Sequence, residues 1–257
     1  MSGAFGTEDD TSDAGDAGDD LRGSELDATR LPDLRERIAA FERSPVVHTP
    51  RAYLGLPTWP LPRPGWRLAP SIDRVLARRR SRRRLDVRLP DAATLGRVLS
   101  SAHGVTGEGG RGPVPSAGDL QALELYVVAL DPHPAAWLPP GGYHYDRLGH
   151  HLAQVVSGDD RALWRDFAPS LDQFEGGALL WVLVGDVERV RPKYSDRAMR
   201  LLLLEAGHLM QALCLASEGV GLTTLPLGGV FEARAARRLR LPRGDAVLYA
   251  GALGRAL

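Results

Sequence analysis

The chain has 257 residues, 44% hydrophobic and 25% charged, which is enough for one soluble globular domain plus an extension. A formal net charge of zero hides an asymmetry: residues 1–28 carry nine acids and one arginine, leaving 31 bases against 23 acids in the rest. The opening MSGAFGTEDD has neither the basic nor the apolar region of a secretory signal, and the single cysteine, Cys214, excludes an internal disulfide, so a cytoplasmic setting is expected.

The acidic, Gly/Ser/Thr-rich segment 1–28 has no apolar anchors and reads as a disordered tail. Residues 29–70 form a second region: LPDLRERIAAFER (31–43) has helical apolar spacing, and 44–70 is a proline-rich strap with Tyr53, Trp59 and Trp66 that should wrap over the main domain. The main domain is expected over 71–257. Ser71 caps a helix through SIDRVLARRR with Ile72, Val75 and Leu76 on one face, and Asp91 caps a second with Leu95, Val98, Leu99 and Ala102 in register. A glycine-rich loop fills 104–118, LELYVVAL (123–130) reads as a strand, and GGYHYDRLGHHLAQV (141–155) reads as a hairpin. A helical stretch precedes ALLWVLVGDV (178–187), a strand buried on both faces. A central helix over about 196–218, apolar on nearly all sides, and a last strand AVLYAGALG (246–254) complete the order. Glu205, His208 and Gln211 interrupt the apolar run and favour a core helix over a membrane span. Cys214, within that run, reads as a small buried hydrophobe. The class is α+β, with a central mixed β-sheet flanked by helices.

Three segments can carry chemistry. RRRSRRR (78–84) sets six arginines around one serine, a group suited to a phosphate ester through forked guanidinium donors and a hydroxyl. A solvated surface or nucleic-acid contact is the competing reading. PSAG (115–118) and LPLGG (225–229) are small-residue loops that let backbone approach a flat ligand. Lys193 is the only lysine among 32 Lys and Arg residues and directly precedes Tyr194; unlike arginine, a lysine ammonium can be tuned or lose its proton. GEGGRG (107–112) matches a dinucleotide fingerprint, but a helix precedes it where a strand is required. No histidine pair has the spacing of a helical metal site, and no metal is expected.

In order, RRSRR (79–83), PSAGDLQALELYVV (115–128), GGYHYD (141–146), KYSDRAMRLLLLEAGHLMQALCLASEGVGLTTLPLGG (193–229) and VLYAGALG (247–254) resemble the nitroreductase-like flavoprotein superfamily. The Lys-Tyr pair ahead of R-x-x-R-x-x-x-x-E-A-G-H resembles its SagB/ThcOx-type azoline dehydrogenases. That resemblance implies FMN, with Arg79 and Ser81 at the phosphate, Arg80 between them in the cofactor site, Arg83 at the pyrimidine side, Ser116 and Gly118 lining the flavin, Pro226, Leu227 and Gly228 near its ring, and Arg255 as a further phosphate contact. It also implies a homodimer with flavin near the subunit boundary, and an azoline-containing precursor peptide as substrate, oxidised to a thiazole or oxazole alongside a cyclodehydratase partner. Tyr194 is then the expected base, with Lys193 tuning or orienting it. An NAD(P)H-dependent nitroreductase or flavin reductase, and a non-catalytic subunit of a peptide-maturation complex, are the alternatives.

Overall fold

The computed structural model describes residues 23–44, 51–65, 70–130, 133, 136–158, 168 and 176–257. Residues 1–22 of the acidic segment, two pieces of the strap including Trp66, and most of the expected helical stretch before residue 178 lie outside them.

The first helix, α1 (Leu31–Arg43), enters with Pro32 in its first turn, where a missing N–H costs nothing. The strap contributes a short strand β1 (Thr58–Pro60). Helix α2 (Ile72–Arg78) is capped by Ser71, whose hydroxyl accepts from the Arg74 amide, and α3 (Ala92–His103) by Asp91, which accepts from Thr94 N at 2.8 Å. Then come β2 (Leu123–Ala129), β3 (Gly141–Asp146), β4 (His151–Ser157) and β5 (Leu179–Asp186). Helix α4 (Val187–Tyr194) and helix α5 (Ala198–Gly219) follow, joined by a single 3-10 turn, and β6 (Thr223–Leu227), α6 (Glu232–Arg238) and β7 (Asp245–Gly254) end the chain.

The strands form one seven-stranded sheet in the order β1-β4-β3-β2-β5-β7-β6. Every pairing is antiparallel, which corrects the expected mixed sheet. Strands β5 and β6, joined through α4 and α5, are separated in the sheet by β7, which pairs antiparallel with both, so interleaved helices did not require parallel neighbours here.

Strand periodicity divides the core in two. Leu125, Val127, Leu179, Trp181 and Leu183 face α3 and α5 through Leu95, Val98, Leu99, Leu202, Leu209 and Leu213. Tyr126, Val128, Leu180, Val182 and Val184 face the other side, against Ala235 of α6 and Leu239. Two expected faces differ. Only Val75 of α2 is buried, with Ile72 and Leu76 exposed, because this short helix packs through a single turn. Helix α5 buries one side only: Met199, Leu203 and Leu204 are exposed and Glu205 is buried, so it borders the core and is not enclosed by it. The run Val187–Gly219 is apolar and long enough to cross a bilayer by composition, yet the leucines of α5 at 202, 209 and 213 are spent on this core.

The strap does lie on the domain. Trp59 packs edge-on against Tyr143, with ring centroids 5.3 Å apart, and β1 extends the sheet beyond β4. Arg51 reaches inward, donating to Asp245 from both terminal nitrogens, one at 2.8 Å, and to Tyr126 Oη at 3.0 Å. Glu124 lies beside it and accepts from His144 Nε2 at 2.8 Å. Burial pushes Glu124 up, but the His144 hydrogen bond and the charges of His144, Arg51 and Arg189 outweigh it and hold the carboxyl below its usual range.

Candidate active site

Helix α4 begins at Asp186, which accepts from Arg189 N, and ends at Tyr194 because Ser195 adopts φ +50°, a conformation that a helix cannot continue through. Consecutive side chains on a regular helix diverge. The break at Tyr194 lets Lys193 and Tyr194 converge: a methyl group on Gly118 would lie 2.6 Å from Tyr194 Oη and 2.9 Å from Lys193 Nζ. The two polar atoms therefore meet over the backbone of the PSAG loop, at the one residue there without a side chain. Lys193 is 7% exposed, and its Nζ lies 5.8 Å from the centre of the Tyr194 ring and 5.4 Å from that of Phe41.

The loop is held under backbone strain. Gly118, Asp119 and Gln121 all have positive φ, at 57°, 60° and 49°, a state that costs a non-glycine residue about 1 kcal/mol or more. Its conformation persists because separate elements hold it. Ser116 Oγ accepts from Gln121 N at 2.9 Å, Arg111 Nε donates to Asp119 at 2.7 Å, and Arg147 and Arg189 donate to the side chain and carbonyl of Gln121 at 2.6 and 2.8 Å. From α5, Glu205 accepts the Ala117 amide at 2.6 Å. Burial raises the Glu205 carboxyl above its ordinary value, against the hydrogen bonds from Ala117 and Ser116. Glu205 was legible only as a charge interrupting an apolar helix; its role as the loop's anchor comes from tertiary contact.

Beside Gly118 a cavity of about 580 Å³ opens, walled by Phe41, Asp119, Glu124, His144, Arg147 and Arg189 among others. Toward the start of α1, Tyr194 lines a smaller cavity of about 170 Å³ with Arg30, Asp33, Leu34 and Arg37.

The remaining predicted residues lie elsewhere. Arg79 ends α2 half-buried, and Arg80, Ser81 and Arg83 follow it in an exposed extended segment. Its path is set by backbone: Thr223 Oγ1 donates to Arg80 O, Leu257 N to Arg84 O and Asp86 N to Arg255 O, so exposed Arg255 joins the same edge. Among the described residues, no carboxylate forms an ion pair with Arg79, Arg83 or Arg255. Pro226 and Leu227 end β6, and exposed Gly228 has open space where a side chain would stand. Leu227 and Gly228 line a third cavity, about 330 Å³, with Leu203, Ala206 and Gly207 of α5 and Val247 to Tyr249 of β7.

A dianionic phosphate would suit the arginine edge, where Arg79, Arg83 and Arg255 form no ion pair with a described carboxylate and Ser81 adds a hydroxyl, and a planar ring would suit the bare backbone at Gly228 and Gly118. Among the described residues, these parts do not line one common cavity. The arginine segment adjoins Glu218 of α5, paired to Arg78 at 3.0 Å, whereas the PSAG loop adjoins Glu205. Thirteen helical residues separate those points by about 20 Å. Cys214 between them is 3% exposed, with its thiol pushed up by burial, and serves as a small hydrophobe. Helix α3 runs directly into the loop holding 107–112, so the fingerprint there lacks its strand.

The nitroreductase family model matches residues 76–255. A nitroreductase-family protein of Methanocaldococcus jannaschii, MJ1384, is 30% identical over 165 residues, 63% of this chain and 80% of that one. The microcin B17-processing protein McbC of Escherichia coli is 26% identical over 135 residues, 51% of this chain and 49% of McbC, so the aligned part spans about half of that relative. Among solved structures, a chain of the E. coli microcin synthetase McbBCD complex with truncated pro-MccB17 bound matches 91% of this chain and 99% of its own length, with a TM-score of 0.61 at 20% identity. A nitroreductase of Exiguobacterium sibiricum in complex with FMN shares the fold over 74% of this chain and 90% of its own, with a TM-score of 0.52 at 13% identity. An ordered set of motifs, a seven-stranded sheet backed by α3 and α5, and a family match over 180 residues agree: the chain belongs to the nitroreductase family.

Proposed function

We propose that this protein is an FMN-dependent dehydrogenase that oxidises peptide thiazolines or oxazolines to thiazoles or oxazoles, in a cytoplasmic peptide-maturation setting. The observation that carries the reading is the convergence of Lys193 and Tyr194 on Gly118. A simple reductase of quinones or nitroaromatics needs a hydride path but no base beside the substrate. Aromatising an azoline needs a carbon-bound proton removed, and a tyrosine oxygen can accept it in its phenolate form, with a neighbouring ammonium as counter-charge. The relationship to McbC, a microcin-processing protein, supports the same branch.

Bound FMN would supply the hydride-accepting chemistry. Arg79, Arg80, Ser81 and Arg255 would hold its phosphate side, Arg83 would face its pyrimidine side, and Ser116, Gly118, Pro226, Leu227 and Gly228 would border its ring. The 20 Å separation of these groups along α5 supports a homodimer in which two subunits complete each site, and the exposed Leu203 and Leu204 supply an apolar face for it. Within the chain, Tyr194 Oη, as phenolate, would take the azoline ring proton and become the phenol, the Lys193 ammonium would offset the charge on that oxygen beforehand, and Gly118 leaves room for both. The cavity of about 580 Å³ beside Gly118 would give a flanking peptide residue a wall of mixed charge.

The test is to present the purified protein, with FMN, to a peptide carrying one thiazoline or oxazoline and to follow the loss of two hydrogens by mass spectrometry. Conversion supports the dehydrogenase. No conversion on either ring, with fast NAD(P)H oxidation, assigns a nitroreductase or flavin reductase instead. Inactivity in both assays, with tight binding to a cyclodehydratase or precursor peptide, assigns a non-catalytic subunit.

A further inference from the structure

We propose that α1 is part of the active site: Glu42 is a positioning residue for Lys193, and Phe41 covers it. The proposal rests on the dehydrogenase reading for its consequence in turnover, but not for its physical basis. Helix α1 lies outside the residues that match the family model. None of its residues is fully buried, and Phe41 is its one side chain packed against the edge of the core. What it covers is Lys193. Glu42 Oε1 stands 3.4 Å from Lys193 Nζ, and the Phe41 ring packs at 5.4 Å from the same nitrogen. The lysine side chain is left 9% exposed, whereas that of Glu42 is 62% exposed. A buried ammonium needs a partner, and the structure supplies a carboxylate and an aromatic ring from one helical turn.

The approach to α1 is tied to the same stretch of chain. Arg197 Nη1 donates to Ser24 O at 2.8 Å, Arg200 Nε donates to Ser24 Oγ at 2.9 Å, and Arg30 pairs with Asp196 at 3.3 Å. Ser24 is 5% exposed, so the docked segment begins before residue 29, inside the stretch that composition assigned to a disordered tail. Both ends of the 23–43 segment thus land on residues 193–200, on either side of Tyr194. Phe41 also walls the cavity that reaches Gly118, so the residue shielding Lys193 borders the proposed substrate space.

A single lysine makes the test direct. Full-length protein, with neither added flavin nor peptide, is treated with an amine-acetylating ester, and acetylation of Lys193 is timed by peptide mass spectrometry against the N-terminal amine. In the wild type, Lys193 should react at least tenfold slower than in the urea-unfolded chain. Glu42→Gln, nearly isosteric, should raise the rate roughly two- to fivefold at low ionic strength, the range of a partly exposed ion pair, and the difference should shrink in 1 M salt. Glu42→Asp should fall between them. Phe41→Ala should accelerate labelling at either salt level, and Phe41→Leu less so, with thermal melts confirming folded variants. Wild-type labelling as fast as in the unfolded chain would overturn the proposal, as would unchanged rates in both Glu42→Gln and Phe41→Leu. Protected labelling in a protein that fails to oxidise azolines would sink only the dehydrogenase reading. Unprotected labelling in one that succeeds would sink only this proposal.

Discussion

At the scale of single residues, Gly118 and Tyr194 separate folding from chemistry. Gly118 is exposed, lies outside every strand and long helix, and has φ +57°. Gly118→Ala should therefore lower the melting temperature little, since left-handed strain costs about 1–2 kcal/mol. Its methyl group would displace Tyr194 Oη and Lys193 Nζ, so azoline oxidation should fall more than tenfold, and by a larger factor than flavin content. Tyr194→Phe keeps the ring and loses the oxygen; the chemical step should slow by about 10² to 10⁴, measured in single turnover, with folding and FMN binding retained. An equal loss of flavin in either variant would place these residues in cofactor binding instead. The Lys-Tyr pair was visible in the sequence as a compositional oddity. Its convergence was not, because that depends on a helix ending at Ser195 with φ +50°.

At the scale of elements, the sheet carries one close approach that no hydrophobic pattern discloses. Gly251 on β7 faces Trp181 on β5, and any side chain at 251 would run into the indole ring. That indole is fixed by its Nε1 donating to Thr224 Oγ1 at 2.6 Å on β6, so it cannot step aside cheaply. Gly251→Ala should destabilise by about 1–3 kcal/mol in urea titration, whereas Ala252→Gly next to it should cost less. Strand positions were legible here because β5 and β7 are long and apolar. Strand direction was not, because βαβ-like alternation in sequence is compatible with the antiparallel re-entry observed.

At the scale of the whole molecule, acid stability and flavin binding report on different parts of the architecture. Burial between α3 and β2 holds His103 down to about 4 from an ordinary 6.5, with the nearby Arg147 charge acting in the same direction, and its Nε2 bonds Leu123 O at 3.1 Å. A depressed folded value favours the neutral ring, so this contribution is complete above about pH 6.5 and is lost as pH falls toward 4. The loss should reach at most about 3 kcal/mol, read as a falling urea midpoint that flattens in His103→Gln. Flavin binding should instead respond to the far edge. Replacing both Arg79 and Arg83 by Ala should weaken FMN affinity by roughly 10²-fold or more, since hydrogen bonds to charged groups are worth about 1.5–3 kcal/mol each. Light scattering should show a dimer before and after that change; a monomer with stoichiometric FMN would contradict the two-subunit site.

Local information sufficed for what is local. Ser71 and Asp91 announced helix starts because a cap is a contact across three residues, and the strand at 178–187 was readable because both its faces are apolar. Ordered motifs pointed to the family because small loops and arginine clusters keep their spacing. Tertiary structure decided the rest. It turned Glu205 from an interruption into the anchor of the PSAG loop, and it brought Glu42 to Lys193 across about 150 residues. It also set the arginine edge and the Lys-Tyr pair at different stretches of α5. These are contacts between segments distant along the chain, and no periodicity or cap encodes which side chain will face which until the sheet and its helices have packed.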